Sequence, residues 1–364
     1  MKIAIDIREI FGPRAGKGEY TFRILKGLLR LDQENKYFLY SKKHTQTKRQ
    51  NVRLRAINLP GLIWHLTVWL DLKLRVRPDV YLSPTSYIVP ALGVKNSVII
   101  VPDLVSFLFP GEHNKKAVWL ERMFLKAALK KSERIITISR ATKHDLLARF
   151  ELSEKKVAKV YLGVHSRFRE IKREDSRLIK IRKKYNLPEK FILFVGVLSP
   201  RKNLVRLLRA YHKMTLRDFG LVIVGRKGWY YQNIFYEVRK LGLEDRVCFL
   251  DYLREEDLPF VYNLASVFVF PSLYEGFGFP PLEAMACGTP VIASRASSLP
   301  EVVGKAGLLV DPKKVSEISE AMKRILTNKG LRDKLIRLGF LQAKKFSWNK
   351  TVRETLRIMQ SLKP

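Results

Sequence analysis

Residues 271–294 read PSLYEGFGFPPLEAMACGTPVIAS, and the fold class turns on how that stretch divides. The run that leads into it, SVFVFPS (266–272), is short, apolar and rich in valine and phenylalanine, as a strand covered on both faces is. PPLEAMAC places two prolines ahead of Leu, Ala and Met. That order starts a helix at Pro280 or Pro281, because proline's fixed φ suits a first turn and its missing N–H is not needed there. Between strand and helix lies a glycine loop containing Gly276 and Gly278. A loop so placed joins a strand's carboxyl end to a helix's amino end, where free backbone N–H groups and the helix dipole attract a phosphate. Glu275 and Glu283 bracket it. Carboxylates beside a phosphate cradle make chemical sense as acceptors for sugar hydroxyls. Taken without the rest of the string, the same residues also read as a solvated loop carboxylate, a helix amino-terminal carboxylate and a tight turn.

Strand signals of this kind recur on both sides. FILFVG (191–196), FGLVIVG (219–225), RVCFLDYL (246–253) and TPVIAS (289–294) alternate with helical stretches, which predicts a parallel sheet in the second half of the chain. The first half repeats the arrangement. KIAIDI (2–7) is followed by a glycine loop, a helix from Tyr20 to Leu31, and then KYFLYS (36–41), DVYLS (79–83), SVIIV (97–101), RIITIS (134–139) and KVAKVYL (156–162). Between the halves, REIKREDSRLIKIRKKYNLPE (169–189) is charged and poor in apolar residues, as a surface connection is. The 364 residues therefore divide into two Rossmann-like α/β domains, 1–168 and 169–345, with strand carboxyl ends facing a cleft between them.

Hydrophobic residues make up 46% and charged residues 28%, which excludes a disordered, collagenous or low-complexity chain. Two cysteines, Cys248 and Cys287, exclude a disulfide scaffold and point to a reducing compartment. Asp6 breaks the first apolar run too early for a secretory signal, and the most apolar segment, 59–75, carries His65, Asp71, Lys73 and Arg75, so no membrane span is expected. Lys and Arg outnumber Asp and Glu 69 to 34, a net charge of +35 that calls for an anionic partner. The excess marks no tail, since residues 1–170 hold 33 basic against 15 acidic groups and the remainder 36 against 19. Residues 251–300 are the exception, with two basic against six acidic groups, and both bracketing glutamates fall inside them.

EGFGFPPLE, with AMACGTPVIAS and SSLPEVVGKAGLLVDP (297–312) behind it, resembles the E-x7-E block of the retaining glycosyltransferases of family 4, in their mannosyltransferase-like subgroup. The resemblance extends over nearly the whole chain through GVLSPRKNLVRLLRAY (196–211), VYLGVHSRF (160–168) and FSWNKTVRETL (346–356). It implies the GT-B fold, with a terminal helix within 346–364 packing back on the first domain. It implies that Glu283 holds the ribose of a nucleoside diphosphate sugar and that Glu275 binds hydroxyls of its hexose. Backbone groups at Gly196, Phe277, Gly278, Phe279 and Leu282 would meet the donor, and Gly16 and Gly18 would close over its phosphates. Arg201 and Lys202 would neutralise the leaving diphosphate, whose negative charge grows as the glycosidic bond breaks. No cofactor or metal is expected, in keeping with the lack of any Asp-x-Asp in the chain.

One position departs from the family pattern. Where a His-Asp pair is usual, IIVPDLVSFLFP (99–110) has Pro102 before Asp103, and proline neither donates a hydrogen bond nor carries a proton. His113, eleven residues beyond Pro102, is a candidate substitute that reads more readily as a surface histidine, as do His144 and His165, while Ser139 reads as a helix N-cap or as a family serine. GEHNKKAVWLERMFLKAALKK (111–131) combines Trp119 and Met123 with a row of lysines and arginines, a basic amphipathic helix suited to anionic headgroups or to covering a sheet. LIWHLTVWLDLKLR (62–75), with Trp64, Trp69 and several leucines, is a second candidate for surface binding that reads more readily as core packing. The expected reaction is transfer of a hexosyl residue, mannosyl or rhamnosyl, to a hydroxyl acceptor such as a lipid-linked saccharide, by a cytoplasmic protein peripheral to the membrane's inner face. The other classes considered are a degenerate transferase-like binder, supported by Pro102, and a basic nucleic-acid-binding protein, which lacks any recognisable nucleic-acid motif.

Overall fold

Short runs of valine, isoleucine and phenylalanine become strands because helices cover them on both faces, and every strand pairing among the described residues is parallel. The computed structural model describes all residues except 12–15, 45, 46, 48, 113, 114, 252, 363 and 364, and omits the side chains of 112 and 115–117. It divides into two units, Met1–Gly163 with Ser347–Pro364, and Val164–Phe346. The expected borders were 168 and 345. Residues 164–168 join the second unit because the Val164 N–H donates to Phe346 O at 3.3 Å and Phe168 packs edge-to-face on Tyr262.

The first unit holds β1 (Lys2–Asp6), β2 (Lys36–Ser41), β3 (Val52–Ala56), β4 (Val80–Ser83), β5 (Ser97–Val101), β6 (Arg134–Thr137) and β7 (Val157–Lys159), in the spatial order β3-β2-β1-β4-β5-β6-β7. They are linked through α1 (Lys17–Leu31), α2 (Gly61–Asp71), α3 (Ile88–Leu92), α4 (Val105–Leu108), α5 (Lys115–Lys131) and α6 (Arg140–Arg149). Ser139 caps α6, its Oγ accepting the Thr142 N–H at 3.0 Å. Register decides which helices share a face. Ala4 pairs with Tyr81 and Tyr81 with Ser97, so Ala4, Tyr81, Ile99 and Val101 all point the same way. Ala4 and Tyr81 pack under Trp64, Val68 and Leu72 of the α2 segment, and Ile99 and Val101 under Leu125, Ala128 and Leu129 of α5. Helices α2 and α5 therefore cover one side of the sheet, with α3 packed between them. The segment expected as core, 62–75, is buried along one face only. Trp64, His65, Val68 and Leu72 are covered, whereas Leu62, Ile63, Leu66, Leu70 and Leu74 face outward.

The second unit repeats the plan with β8 (Phe191–Val195), β9 (Gly220–Val224), β10 (Val247–Leu250), β11 (Val267–Phe270), β12 (Val291–Ser294) and β13 (Gly307–Val310), ordered β10-β9-β8-β11-β12-β13. Its helices are α7 (Ser176–Lys184), α8 (Leu204–Lys213), α9 (Gln232–Lys240), α10 (Leu258–Leu264), α11 (Phe279–Ala286), α12 (Leu299–Val303), α13 (Val315–Thr327) and α14 (Lys329–Ala343). The chain ends in α15 (Trp348–Gln360), which packs on α1 and is anchored by the Thr351 hydroxyl donating to Tyr161 O at 2.7 Å. No described helix is long and apolar enough to cross a membrane.

Candidate active site

Strand order in the second sheet reverses between β8 and β11, and open α/β sheets receive ligands beyond the carboxyl ends of the strands at such a switch point. Loop 196–203 leaves β8 there and loop 271–278 leaves β11. Their side chains converge on one carboxylate oxygen. Lys202 Nζ lies 2.6 Å from Glu275 Oε1, Arg201 Nη1 lies 3.2 Å from it, and Ser272 Oγ donates to it at 2.5 Å. Arg201 also donates to Tyr274 O, and the Leu273 N–H donates to Arg201 O at 2.8 Å, so backbone and side chain both tie the loops together. Asn203 adds two more ties from a left-handed conformation, donating to Pro271 O at 3.0 Å and Pro312 O at 2.6 Å.

The turn itself is held from the far side. The Glu275 N–H donates to Ser297 Oγ at 2.8 Å, and Ser298 Oγ donates to Phe277 O at 2.5 Å. Gly278 has φ +120°, and a Cβ there would come within 2.9 Å of Leu299 Cδ2, so only glycine starts α11 in this way. Gly225, at the end of β9, meets a stricter limit. A Cβ on it would stand 1.9 Å from Gly196 O, and the two loops leaving β8 and β9 are zipped by Leu198 N–H to Arg226 O (2.9 Å) and Gly228 N–H to Leu198 O (3.0 Å).

Electrostatics follow from this packing. Burial pushes the Glu275 carboxyl up, but Lys202 and then Arg201 outweigh burial and hold it below the usual carboxylate range. Two cations therefore share one carboxylate beside the turn. Lys202 Nζ also sits 4.9 Å over the Phe270 ring, which keeps its stem in apolar surroundings. On α11, half-buried Glu283 accepts the Tyr262 hydroxyl at 3.1 Å. Burial, then the charge of Glu283, push that phenol well above its ordinary range, so it stays a donor.

The comparisons with known proteins fit this geometry. Residues 177–341, which contain both loops, match the model of the family described as glycosyl transferases group 1. Over 98% of its length and 98% of the relative's, the chain is 30% identical to O-antigen chain mannosyltransferase B of Escherichia coli. This chain belongs to the glycosyl transferases group 1 family. Among solved structures it resembles a sucrose-phosphate synthase from Thermosynechococcus elongatus, with a TM-score of 0.80 at 20% identity over 99% of this chain and 98% of the other. It also resembles Anabaena HepE in complex with UDP and glucose, with a TM-score of 0.79 at 18% identity over 99% and 100%. Both show the fold, two Rossmann-like parallel-sheet domains of the GT-B kind.

In this group 1 glycosyltransferase chain, the residues expected from sequence are distributed as follows. Arg201, Lys202 and Glu275 touch one another, and Gly196 begins the loop that carries the cations. Phe277 and Phe279 flank Gly278 with ring centroids 5.3 Å apart. Leu282 is fully buried, and its N–H donates to Gly278 O at 3.4 Å, so it packs α11 against the core. Gly16, Gly18 and Asp103 belong to the first unit. Gly16 precedes α1, Gly18 is buried in its first turn, and Asp103 Oδ1 accepts the Val105 N–H at 3.0 Å beyond β5. Pro102 is buried, its carbonyl accepting the Thr142 hydroxyl at 3.2 Å, and His113 lies outside the described residues. His165 Nδ1 accepts the Arg167 N–H at 2.8 Å, a local turn contact, and His144 is exposed.

Sequence reading missed Ser272, Ser297, Ser298, Tyr262 and Asn203, although Asn after PRK, where a left-handed residue ends a short helix, was a signal. It also missed a polar cluster at the carboxyl end of β1. Asp6 and Arg8 pair at 2.8 Å, the Arg8 guanidinium lies 3.9 Å over the Trp64 ring, and its Nη1 stands 3.2 Å from His65 Nε2. Burial, then the charge of Arg8, push the His65 imidazole down to about 4, so it is neutral at physiological pH. Among the described residues no three His, Cys, Asp or Glu side chains gather as a metal ion would require.

Proposed function

We propose that this protein is a retaining hexosyltransferase that moves a sugar, mannosyl first among candidates and rhamnosyl second, from a nucleoside diphosphate to a hydroxyl of a lipid-linked saccharide in surface polysaccharide synthesis. The observation that carries the reading is the Lys202–Arg201 pair held on buried Glu275 at the switch point, beside a glycine turn that opens a helix. Lys202 and Arg201 meet the diphosphate, and their worth is greatest in the transition state, where the leaving group's charge is largest. All three contacts described for the Glu275 carboxylate end on Oε1, which leaves Oε2 to accept a hexose hydroxyl. Glu283, aimed by Tyr262, takes the ribose hydroxyls. Cations in place of a divalent ion make a metal unnecessary for the leaving group, and acceptor deprotonation by the departing phosphate on the same face preserves the anomeric configuration. The mannosyl assignment draws on the Escherichia coli relative's name, the nucleotide donor on the UDP bound by HepE, and the membrane's inner face on the lipid-linked acceptor.

The test is a thermal-shift screen against UDP-, GDP- and dTDP-sugars without added metal, repeated with Glu283→Ala, followed by NMR of the product's anomeric proton. One nucleotide series should raise Tm and the variant should lose the rise. A protein unmoved by every donor, or a product of inverted configuration, would contradict the reading.

A further inference from the structure

The outer side of α2 and α5 is apolar where a protein in water is normally polar. Leu62, Ile63, Leu66, Leu70 and Leu74 are 45 to 65% exposed, and they form one stripe because residues at helical spacing share a face. Trp64, His65, Val68 and Leu72 occupy the opposite, buried face, so the stripe has no role in the core. On α5 the outward residues are Trp119, 61% exposed, and Met123. Since α2 and α5 pack on the same side of the sheet with α3 between them, both apolar rows look outward from that one side. An unpartnered apolar surface of this extent marks an interaction site.

Charge selects the partner. Lys73 and Arg75 flank the leucine stripe, with Lys73 Nζ 4.8 Å over Trp69, and Arg122 and Lys126 flank Trp119. Each row borders a basic hollow. One, of about 610 Å³, lies beside Leu70 and Leu74 and contains Arg55 and Arg75, with Asp71 paired to Arg55. The other, of about 740 Å³, lies beside Trp119 and Met123 and contains Arg122, Lys126 and Arg149 against Glu151. Arginine and lysine at the edge of an apolar row are what an interfacial helix presents to anionic headgroups. Two copies meeting through this side would set cation against cation, which disfavours self-association.

We propose that the α2–α5 side of the first unit docks on an anionic lipid bilayer. Leu62, Leu66, Leu70, Leu74 and Trp119 enter the boundary of the acyl chains, while Lys73, Arg75, Arg122 and Lys126 meet headgroup phosphates. This deepens the membrane placement proposed above and is independent of the transfer chemistry.

Flotation of the purified full chain with phosphatidylcholine vesicles, with and without phosphatidylglycerol, tests it. The protein should float with phosphatidylglycerol vesicles and less so at high salt. Leu66→Glu with Leu70→Glu should lower the bound fraction at least about tenfold, and Lys126→Glu by a smaller factor. The double variant should keep the wild-type Tm and its shift with nucleotide-sugar, which shows that it folds. A wild-type chain that ignores phosphatidylglycerol overturns the proposal, as does a double variant that floats normally. So does a wild-type dimer in sedimentation that the double substitution makes monomeric. Vesicle binding without any donor shift would sustain the docking surface while removing the transferase reading.

Discussion

Each unit holds an ion cluster at the switch point of its own sheet, and the two clusters are built differently. At the end of β1, one arginine meets one aspartate and the neighbouring His65 is neutral, so the local charge cancels. Between β8 and β11, two cations meet one carboxylate. One cation on one carboxylate serves the fold, whereas two cations gathered on one carboxylate suit the diphosphate of the proposed function. Under the proposed function the diphosphate belongs to the second unit, and the first unit's cluster has a structural role.

The comparison breaks most readily at Lys202. Lys202→Ala should lower turnover by roughly a hundredfold or more with little change in donor KM, since the charge it meets develops in the transition state. Steady-state rates of sugar transfer decide this, and an unchanged kcat would show that Lys202 has no catalytic use. Arg8→Met is the matching substitution in the first unit. It should cost stability in urea melts and leave donor affinity alone, and a loss of nucleotide binding would erase the distinction between the clusters.

Glu283→Ala should weaken nucleotide binding by roughly 1 to 3 kcal/mol through unpaired ribose hydroxyls, measurable by titration calorimetry. Next comes His65. Its folded pKa is depressed to about 4 against roughly 6.5 unfolded, so the unfolded chain binds more protons and stability is lost as pH falls from about 6.5 towards 4. The unfolding free energy from denaturant melts should decline by about 2 to 3 kcal/mol across that window, and His65→Phe should flatten the decline. Glu275 acts lower. Its folded pKa lies below the unfolded value of roughly 4.3, so its contribution is present above that value and disappears on further acidification. Glu275→Gln should reduce the slope only in this more acid range, and a changed slope near neutrality would contradict the assignment.

Much of the fold was legible because buried parallel strands have unmixed apolar sequences; SVIIV and VFVF are buried at every position. VRLRA (52–56) was not read as a strand, since its arginines belong to an edge strand with one side in water. The helix at 62–75 was visible, but it is apolar on both faces, and periodicity alone does not say which face is covered. At the candidate site, Glu275, Glu283, Arg201 and Lys202 were found through resemblance to a family. Their meeting was hidden because Lys202 and Glu275 are 73 positions apart and no local spacing encodes the pair. Ser297, Ser298 and Asn203 carry no charge signal at all, and they act only by holding backbone that the sequence does not show.

The backbone contact of Gly225 with Gly196 O has a consequence for engineering. Loops 196–203 and 225–228 share hydrogen bonds and leave no room for a Cβ between them, so neither has a conformation of its own. A graft that carries one loop from a relative meets the other as an obstacle. The two loops are therefore transplantable only as a pair, and the glycines are the lock that makes the pair one piece.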